Sequence, residues 1–409
     1  MPEAAPTTSE RRGYFAVVVL VPLLGASLGV NGGPIFQILA IENLGLDPRQ
    51  VGLAVGLGAI SIPFQIMAAR IPLRSAHRNL RVFIWSMAAM CLVMAWLIPG
   101  PVSASTVVVI VITIAVLAEL AVSVLFATSF QPLLSTTIDA GFRQQLNAQG
   151  RAIGGLLAIV LVGLVSWAGA TGRIVILVAL AMLGAVLATA VSSLRRPAED
   201  SPSVVVPGNS NGAEGQGLTW VYVAIGLSVV PAWPFVVTYA SSTYWPSANL
   251  GAIGAALTVG SLGASAAWRP TADGLVMRAR AGALVSLLCA LALVPLNPSR
   301  VGWAHGAPVL LAIAFAAGAG TVVRLSLLEM AHLRSSSSST VQALTRLDVV
   351  ASTSLQLGFL AGGYLIDLSI DSNWLADPYQ LSLIAGGVLL VGAMSQVKNG
   401  PVAEPSGTF

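Results

Sequence analysis

Long apolar stretches, separated by short segments that contain most of the arginines, run through the whole of this 409-residue chain. A helix needs about 20 predominantly apolar residues to cross the hydrocarbon core of a bilayer. The composition agrees, because 56% of the residues are hydrophobic and only 9% are charged, whereas soluble domains contain roughly 25% charged residues. The chain is therefore predicted to be an all-α integral membrane protein whose partner is the lipid bilayer.

Twelve such stretches can be placed along the sequence, in two groups of six. They occupy residues 14–41, 50–71, 81–99, 105–131, 149–168, 172–194, 219–244, 249–268, 281–297, 306–330, 346–366 and 379–396. Residues 195–217, between the two groups, are polar and rich in Pro, Gly and Ser, which is typical of a linker. We predict twelve transmembrane helices in two six-helix bundles, residues 1–194 and 218–409, joined by a cytoplasmic linker at 195–217.

The distribution of basic residues predicts the orientation of these spans. If the N-terminus is cytoplasmic, sixteen Lys and Arg residues lie in inner segments and three, Arg49, Arg173 and Arg300, lie in outer segments. Cytoplasmic loops of membrane proteins carry an excess of Lys and Arg. Both termini are therefore predicted on the cytoplasmic side of the plasma (inner) membrane.

The two halves of the sequence also resemble each other. Arg70 and Arg81, which follow the second span, recur as Arg269 and Arg280, again eleven residues apart. Internal repeats of this kind build two-bundle transporters, in which the substrate binds near mid-membrane at the interface of the repeats. The repeat therefore favours transport of a small-molecule substrate.

The segments that follow the second span of each half contain the most distinctive motif. The first reads ARIPLRSAHRNLR from Ala69 to Arg81, and the second reads RPTADGLVMRAR from Arg269 to Arg280. With the six-plus-six repeat, these loops resemble the major facilitator superfamily of secondary transporters over residues 10–398. The resemblance implies alternating access, with charged groups near these loops acting as gates. The residues assigned to gating are Arg70, Arg81, Asp273, Arg280 and Asp348.

Several other classes of function are excluded by the sequence. The single lysine, Lys398, is followed by Asn399, so there is no Walker A motif for an ATP-driven pump. The three histidines lack the HExxH spacing of zinc proteases, and no nucleic-acid-binding motif is present. Cys91 and Cys289 lie singly in apolar stretches and are interpreted as buried apolar residues. We therefore expect no enzyme activity, cofactor or metal, and we expect transport to be driven by an ion gradient or by the substrate's own gradient.

Polar residues and prolines inside the first half's spans are candidates for a substrate cavity. Span one contains Asn31, Pro34 and Gln37, and span two contains Gln65. Irregular backbone at membrane depth is tolerated where it lines a cavity. A purely structural kink is the alternative interpretation of span one.

The first span of the second half is interrupted in a similar way. It contains Pro231, Trp233 and Pro234, followed by Tyr239. Interrupted spans at corresponding positions of two repeats point to the binding site of a transporter. Trp233 and Tyr239 are therefore assigned to the substrate cavity.

Glu119 lies near the centre of the fourth span. A charged, unpaired carboxyl group at that depth costs several kcal/mol. Glu119, Ser123, Phe126 and Phe130 share one helix face through i, i+4, i+7 and i+11 spacing. A desolvated carboxyl group can gain and lose a proton near neutral pH, so Glu119 is predicted to carry the coupling proton, or to pair with a cationic substrate. A hydrogen-bonded structural glutamate is the alternative. Because the family's fourth span lines the cavity, Ser123 and Phe126 are assigned to it.

Arg324 lies in span ten, about 9 Å to the cytoplasmic side of mid-span at 1.5 Å per residue. Two roles are open for it. It can form a structural ion pair with Asp348 or Glu329, or it can act in substrate binding or gating. If Arg324 lines the cavity, an anionic substrate becomes plausible.

These features together predict a secondary transporter that couples efflux of a small amphipathic compound to proton antiport. The apolar and aromatic character of the spans that line the cavity favours this cargo. Proton-coupled uptake of a small polar or anionic metabolite is the alternative if Arg324 binds substrate. A non-transporting membrane receptor or assembly partner is a third possibility. We expect a monomer whose partners are protons and a small molecule, with no nucleic acid.

Overall fold

The computed structural model describes residues 8–27, 33–68, 75–100, 102–126, 129–130, 140–192, 194, 236–242, 250–267, 274–296, 306–334, 356–370 and 375–397. Throughout these residues the regular secondary structure is helical, with no strand. Helices satisfy all their backbone hydrogen bonds within one segment, which a lipid environment requires.

The helices of the first half follow the predicted spans in order. They are α1 (Thr8–Ser27), α2 (Pro34–Ile38) with a π-helical turn (Leu39–Asn43), α3 (Pro48–Gly56) with a 3-10 turn (Leu57–Ile60), α4 (Ser61–Ala68), α5 (Ala76–Leu97), α6 (Ala104–Leu120) with a π-helical segment (Ala121–Phe126), α7 (Ala140–Trp167) and α8 (Ala170–Ser192).

The described helices of the second half begin within span seven. They are α9 (Val236–Ser242), α10 (Leu250–Ala267), α11 (Leu275–Leu293), α12 (Gly306–Arg334), α13 (Gln356–Ile370) and α14 (Pro378–Gln396).

Within the described residues, six stretches of helix are long and apolar enough to cross a membrane. They are Ala76–Leu97, Ala104–Phe126, Ala170–Ser192, Leu275–Leu293, Gly306–Leu327 and Pro378–Gln396. Shorter apolar helices occur at Ile153–Trp167, Leu250–Ser265 and Gln356–Ile370. The protein is therefore an integral, multi-pass membrane protein, whereas the count of twelve spans and the orientation of the termini stay predictions.

The chain forms two compact units. The first contains the described residues of Met1–Ser203 and Ser247–Ala255, and the second contains those of Val204–Pro246 and Ala256–Phe409. The boundaries predicted from the sequence, at 194 and 218, stay predictions because the linker 195–217 lies outside the described residues.

Corresponding helices pack in the same way within each unit. In the first unit, a Cβ atom added to Gly184 of α8 would lie 3.0 Å from the Cβ atom of Ala88 in α5. In the second unit, a Cβ atom added to Gly387 of α14 would lie 2.9 Å from the Cα atom of Leu287 in α11. Small residues let helix backbones approach closely. The third and sixth spans of each half thus meet at a glycine, which agrees with the internal repeat.

Local sequence signals account for several helix boundaries. Gly45 has φ +66°, a left-handed conformation that glycine adopts easily and that ends the first span. Asp47 then caps α3, since its carboxylate accepts from the Gln50 amide at 2.7 Å and the Gln50 side chain accepts from the Asp47 amide at 3.1 Å. This reciprocal pair is a capping box, and Pro48 occupies the favoured first helical position.

Two helices begin earlier in the chain than the spans predicted from the sequence. The basic loop predicted to extend to Arg81 ends earlier, because α5 already begins at Ala76. The fifth span, predicted to begin at residue 149, belongs to a helix that begins at Ala140. This helix has 28 residues, or about 42 Å at 1.5 Å per residue, whereas the hydrocarbon core is about 30 Å thick. A helix can extend beyond the hydrocarbon core into the headgroup region and water. The apolar stretch that predicts a span is therefore shorter than the whole helix.

Candidate functional site

Glu119 is buried near the end of α6, with 5% of its surface exposed. The Ser123 hydroxyl group donates a hydrogen bond to Glu119 Oε1 at 3.2 Å. The helix changes from α to π geometry at Ala121, between these two residues. Short π-helical segments are frequent at functional sites. The structure thus brings together the two polar residues that the sequence places on one face of the fourth span.

An aromatic cluster lies beyond Ser123 along the chain. The Phe126 ring is stacked on the Phe130 ring, with centroids 4.6 Å apart, and is tilted against Phe83 of α5 at 5.3 Å. The contact between Phe126 and Phe130 follows from their spacing on one helix face. Sequence reasoning missed Phe83, because nothing in its apolar neighbourhood distinguishes it from other core residues of the third span.

An apolar groove of about 760 Å³ lies on a different side of α6. It is lined by residues of α4, α5, α6 and the π-helical segment, and Ser86 and Thr113 are the polar members of the lining. Phe64 and Leu117 at this groove are each 47% exposed. Glu119 and Ser123 are absent from the lining, so the groove and the buried acid are separate features.

The first span bends where its sequence predicts. Gly33 has a non-helical conformation (φ −59°, ψ 155°) and Pro34 opens α2 as a separate helical piece. Gln37 of this piece is fully buried and Pro34 is half-buried. Two predicted cavity residues therefore lie on a short helical segment that follows a break in the backbone.

Arg173, counted in the sequence as an outer-loop residue, is buried in the first turn of α8, with 6% of its surface exposed. Its Nη2 atom forms an ion pair with Glu42 Oε2. Its Nη1 atom donates to Asn43 Oδ1 at 2.6 Å, and its Nε atom donates to the Val165 carbonyl oxygen at 2.7 Å. The sequence analysis did not identify this cluster. The signal for it was Glu42, an acid at the predicted outer end of span one.

Tyr239, a predicted cavity residue of the second half, has a buried side chain whose hydroxyl group donates to Asp377 Oδ2. The other oxygen of Asp377 accepts from the Ser369 hydroxyl at 3.2 Å and from the Gln380 amide at 2.9 Å. The Tyr239 ring also stacks on Tyr379, with centroids 4.6 Å apart. Asp377 was missed in the sequence, although an Asp-Pro pair before an apolar run is a helix-start signal.

Two of the predicted gating residues have described side chains. Arg280 of α11 donates from Nε to the Met394 carbonyl at 3.1 Å and from Nη2 to the Ser395 and Val397 carbonyls at 3.3 and 2.9 Å. It therefore caps the end of α14, where free carbonyl groups attract a cation. Arg81 is exposed on α5. A gating role for either residue stays a prediction.

The other predicted gating residues, Arg70, Asp273 and Asp348, lie outside the described residues. The same holds for the cavity candidates Asn31 and Trp233. Their assigned roles stay predictions.

Arg324 has an exposed side chain on α12, and no ion pair of Arg324 occurs among the residues that the structure describes. Its candidate partner Glu329 lies on the same helix, but that side chain is outside the described part, as is the side chain of Gln65 on α4. A substrate-binding role for Arg324 therefore stays a prediction.

Cys91 and Cys289 are buried free thiols, which confirms their interpretation as buried apolar residues. Within the described ranges, no three His, Cys, Asp or Glu side chains cluster in a way that could hold a metal ion.

No protein-family model matches the chain, and no curated protein sequence matches it. Among solved structures it is similar to a mutant of the nucleoside transporter NupG, with a TM-score of 0.63, 13% identity, and coverage of 95% of this chain and 100% of that chain. It is also similar to a bacterial metal transporter (TM-score 0.61, 11% identity, coverage 96% and 100%). A third is a bacterial homologue of the human lysosomal transporter Spinster, inward-facing and occupied (TM-score 0.57, 15% identity, coverage 96% and 97%). At these identities the likeness establishes the fold. The chain therefore shares the fold of these transporters.

Proposed function

We propose that this protein is a secondary transporter that works by alternating access and couples efflux of a small amphipathic compound to proton antiport. The observation that carries the proposal is the buried carboxyl group of Glu119, hydrogen-bonded to Ser123 inside an apolar helix of a transporter fold. Ionisable groups within membrane spans commonly mark proton relays or substrate pathways. The excess of arginine in the inner segments supports cytoplasmic termini in the plasma membrane, and we propose a monomer.

The pair of Glu119 and Ser123 suits a group that changes its protonation state. A hydroxyl group has one donor and two acceptor lone pairs. Ser123 can therefore donate to the ionised carboxylate and accept from the protonated acid with little movement. The same contact can therefore form in both protonation states, and it gains strength in a medium of low dielectric constant.

The aromatic cluster supports an amphipathic cargo. Phe126 is half-buried between Phe83 and Phe130, so part of its ring remains accessible. Small-molecule sites combine aromatic walls with a few placed polar groups. A carboxyl group with a neighbouring ring also suits a cation that has an apolar body.

Transport in proteoliposomes with an imposed pH gradient tests the proposal. Ethidium, a fluorescent amphipathic cation, serves as the probe, and a trapped pH indicator reports proton movement. The wild-type protein should accumulate ethidium against its gradient at the expense of the proton gradient. Glu119→Gln should abolish this accumulation while ethidium still equilibrates down its own gradient, because the amide keeps the size of the side chain and loses the titratable group.

Asp47→Asn is the matched control, since Asp47 is an exposed carboxyl group and Asn retains the capping function. It should leave accumulation unchanged. Undiminished proton-driven flux in Glu119→Gln would eliminate Glu119 as the proton carrier. If the wild type moves neither ethidium nor protons, the assignment of an amphipathic cargo is wrong.

The exposed guanidinium of Arg324 on the candidate span Gly306–Leu327 favours a second candidate function. Such a group would suit proton-coupled uptake of a small anionic metabolite. Radiolabelled succinate is a suitable probe in the same proteoliposomes. Succinate uptake that requires the pH gradient and is lost in Arg324→Ala would establish this function, whereas uptake that persists in Arg324→Ala would remove the role of Arg324.

A further inference from the structure

We propose that Arg173 and Asp377 are positioning residues, each of which fixes the interrupted first span of its own unit to the fifth and sixth spans of that unit. This inference rests on the proposed transport function, because the held segments carry the candidate cavity residues Pro34, Gln37 and Tyr239. The held segment of the first unit is residues 34–43, and that of the second unit is residues 236–242.

Segment 34–43 needs tertiary contacts to hold its position. It contains ten residues, or about 15 Å of helix, and the non-helical Gly33 precedes it. Helices this short are marginally stable by themselves. The orientation of the segment is therefore set by what its side chains bind rather than by continuity with α1.

Arg173 supplies that contact in the first unit. Its guanidinium binds Glu42 and Asn43 at the end of segment 34–43, and it binds the Val165 carbonyl near the end of α7. Arg173 itself belongs to α8. One side chain thus ties three pieces of helix together, and the planar fork of donors restricts their relative angles. Glu42 and Asn43 are the last two residues of the π-helical turn Leu39–Asn43. This position at the end of the turn allows both of them to reach the same guanidinium.

Asp377 occupies the corresponding place in the second unit, directly before α14. Its carboxylate accepts from Tyr239 of segment 236–242, from Ser369 of α13 and from the Gln380 amide of α14. The sixth span of each half thus carries the central group, and the fifth span and the interrupted first span supply partners. The sign of the central charge is reversed between the units.

The two contacts make each interrupted segment move with the fifth and sixth spans of its own unit. Loss of one contact should therefore free the segment in that unit alone. Buried residues of the freed segment should become more accessible to water, and the cavity residues it carries should lose their fixed orientation.

The test measures labelling of a buried position in each segment by a membrane-impermeant maleimide, in the full chain reconstituted in lipid nanodiscs. Ile38→Cys reports on segment 34–43 and Val237→Cys reports on segment 236–242, since both native side chains have no exposed surface. Cys91 and Cys289 are replaced by alanine throughout. Labelling needs neither substrate nor a proton gradient, so its outcome is separate from that of the transport assay.

Arg173→Ala should raise the labelling rate of Ile38→Cys at least about tenfold, because it removes the contact that holds the segment closed, and leave the labelling rate of Val237→Cys unchanged. Asp377→Ala should raise the labelling rate of Val237→Cys and leave that of Ile38→Cys unchanged. Glu119→Gln should change neither rate. Arg173→Lys keeps the charge but not the fork of donors, so its effect on Ile38→Cys should be smaller than that of Arg173→Ala. If Arg173→Ala does not fold, the labelling rate in Arg173→Lys tests whether Arg173 holds segment 34–43.

Unchanged labelling in the Arg173 variants would overturn the proposal. An equal rise in the labelling rates of Ile38→Cys and Val237→Cys would also overturn the proposal, because that result indicates general loosening of the protein rather than release of one segment.

Discussion

The two units hold corresponding segments with opposite chemistry. In the first unit a buried guanidinium, Arg173, faces a carboxylate, an amide oxygen and a backbone carbonyl. In the second unit a buried carboxylate, Asp377, faces a phenol, a hydroxyl group and a backbone amide. Each central group is satisfied from several elements, as buried polar groups must be. The position and the connectivity of the contact are therefore alike in the two units, while the chemistry of the side chains differs.

The difference has energetic consequences. In the first unit both Arg173 and its partner Glu42 carry formal charge, so removal of either one leaves a charge unpaired at a site that is buried for Arg173 and part-buried for Glu42. In the second unit the partners of Asp377 are neutral, so loss of the carboxylate strands only neutral donors. The first contact should therefore be the more sensitive of the two to a single substitution.

Arg173→Ala should have the largest effect, because it leaves Glu42 without its cation. We expect a loss of about 3–5 kcal/mol in the free energy of unfolding, the range for breaking a buried ion pair. Chemical unfolding in detergent micelles measures it. Arg12→Ala is the control, since Arg12 is exposed near the start of α1 and its removal should change stability by less than about 0.5 kcal/mol. An Arg173→Ala protein as stable as Arg12→Ala would contradict the importance of the ion pair.

Asp377→Ala should have an intermediate effect of about 2–3 kcal/mol. It removes the N-cap of α14, worth about 1 kcal/mol, and leaves the buried hydroxyl of Tyr239 without this acceptor, worth about 1–2 kcal/mol. The same unfolding experiment on Asp47→Ala isolates the cap, because Asp47 caps α3 at an exposed site. If the two substitutions cost the same, the contact with Tyr239 contributes nothing to stability.

Tyr239→Phe should have the smallest effect, about 1 kcal/mol, because it removes one hydrogen bond and keeps the ring stacked on Tyr379. A double-mutant cycle of Tyr239→Phe and Asp377→Asn measures the coupling between the two side chains, which should be at least about 0.5 kcal/mol for groups in direct contact. Additive effects in this cycle would show that the phenol and the carboxylate are energetically independent.

Part of the candidate site could be predicted from the sequence because it is local. Glu119 and Ser123 are four residues apart, so helical periodicity alone places them on one face, and the structure shows the hydrogen bond between them. The bend at Pro34 and the buried thiols of Cys91 and Cys289 likewise follow from residue type and immediate context. The helix starts at Ala76 and Ala140 could not be predicted from the apolar stretches, because apolar length marks the part of a helix within the bilayer rather than the full helix.

The contacts made by Arg173 and Asp377 could not be predicted in this way. Arg173 meets Glu42 across 131 residues, and Tyr239 meets Asp377 across 138. Arg173 and Asp377 both lie next to apolar runs, so the sequence is equally consistent with a position in an outer loop. The contact between Phe83 and Phe126 was missed for the same reason.

The sequence by itself determined that this protein is a helical membrane protein, because hydropathy and helical periodicity act over a few residues, and it also predicted an internal repeat. Only the tertiary structure decided which polar side chains meet, because those pairings depend on how helices distant in the chain pack side by side. Burial makes each such pairing obligatory, since a polar group removed from water must find a partner. The identity of that partner depends on the neighbouring helix, as the reversed charges of the two contacts illustrate.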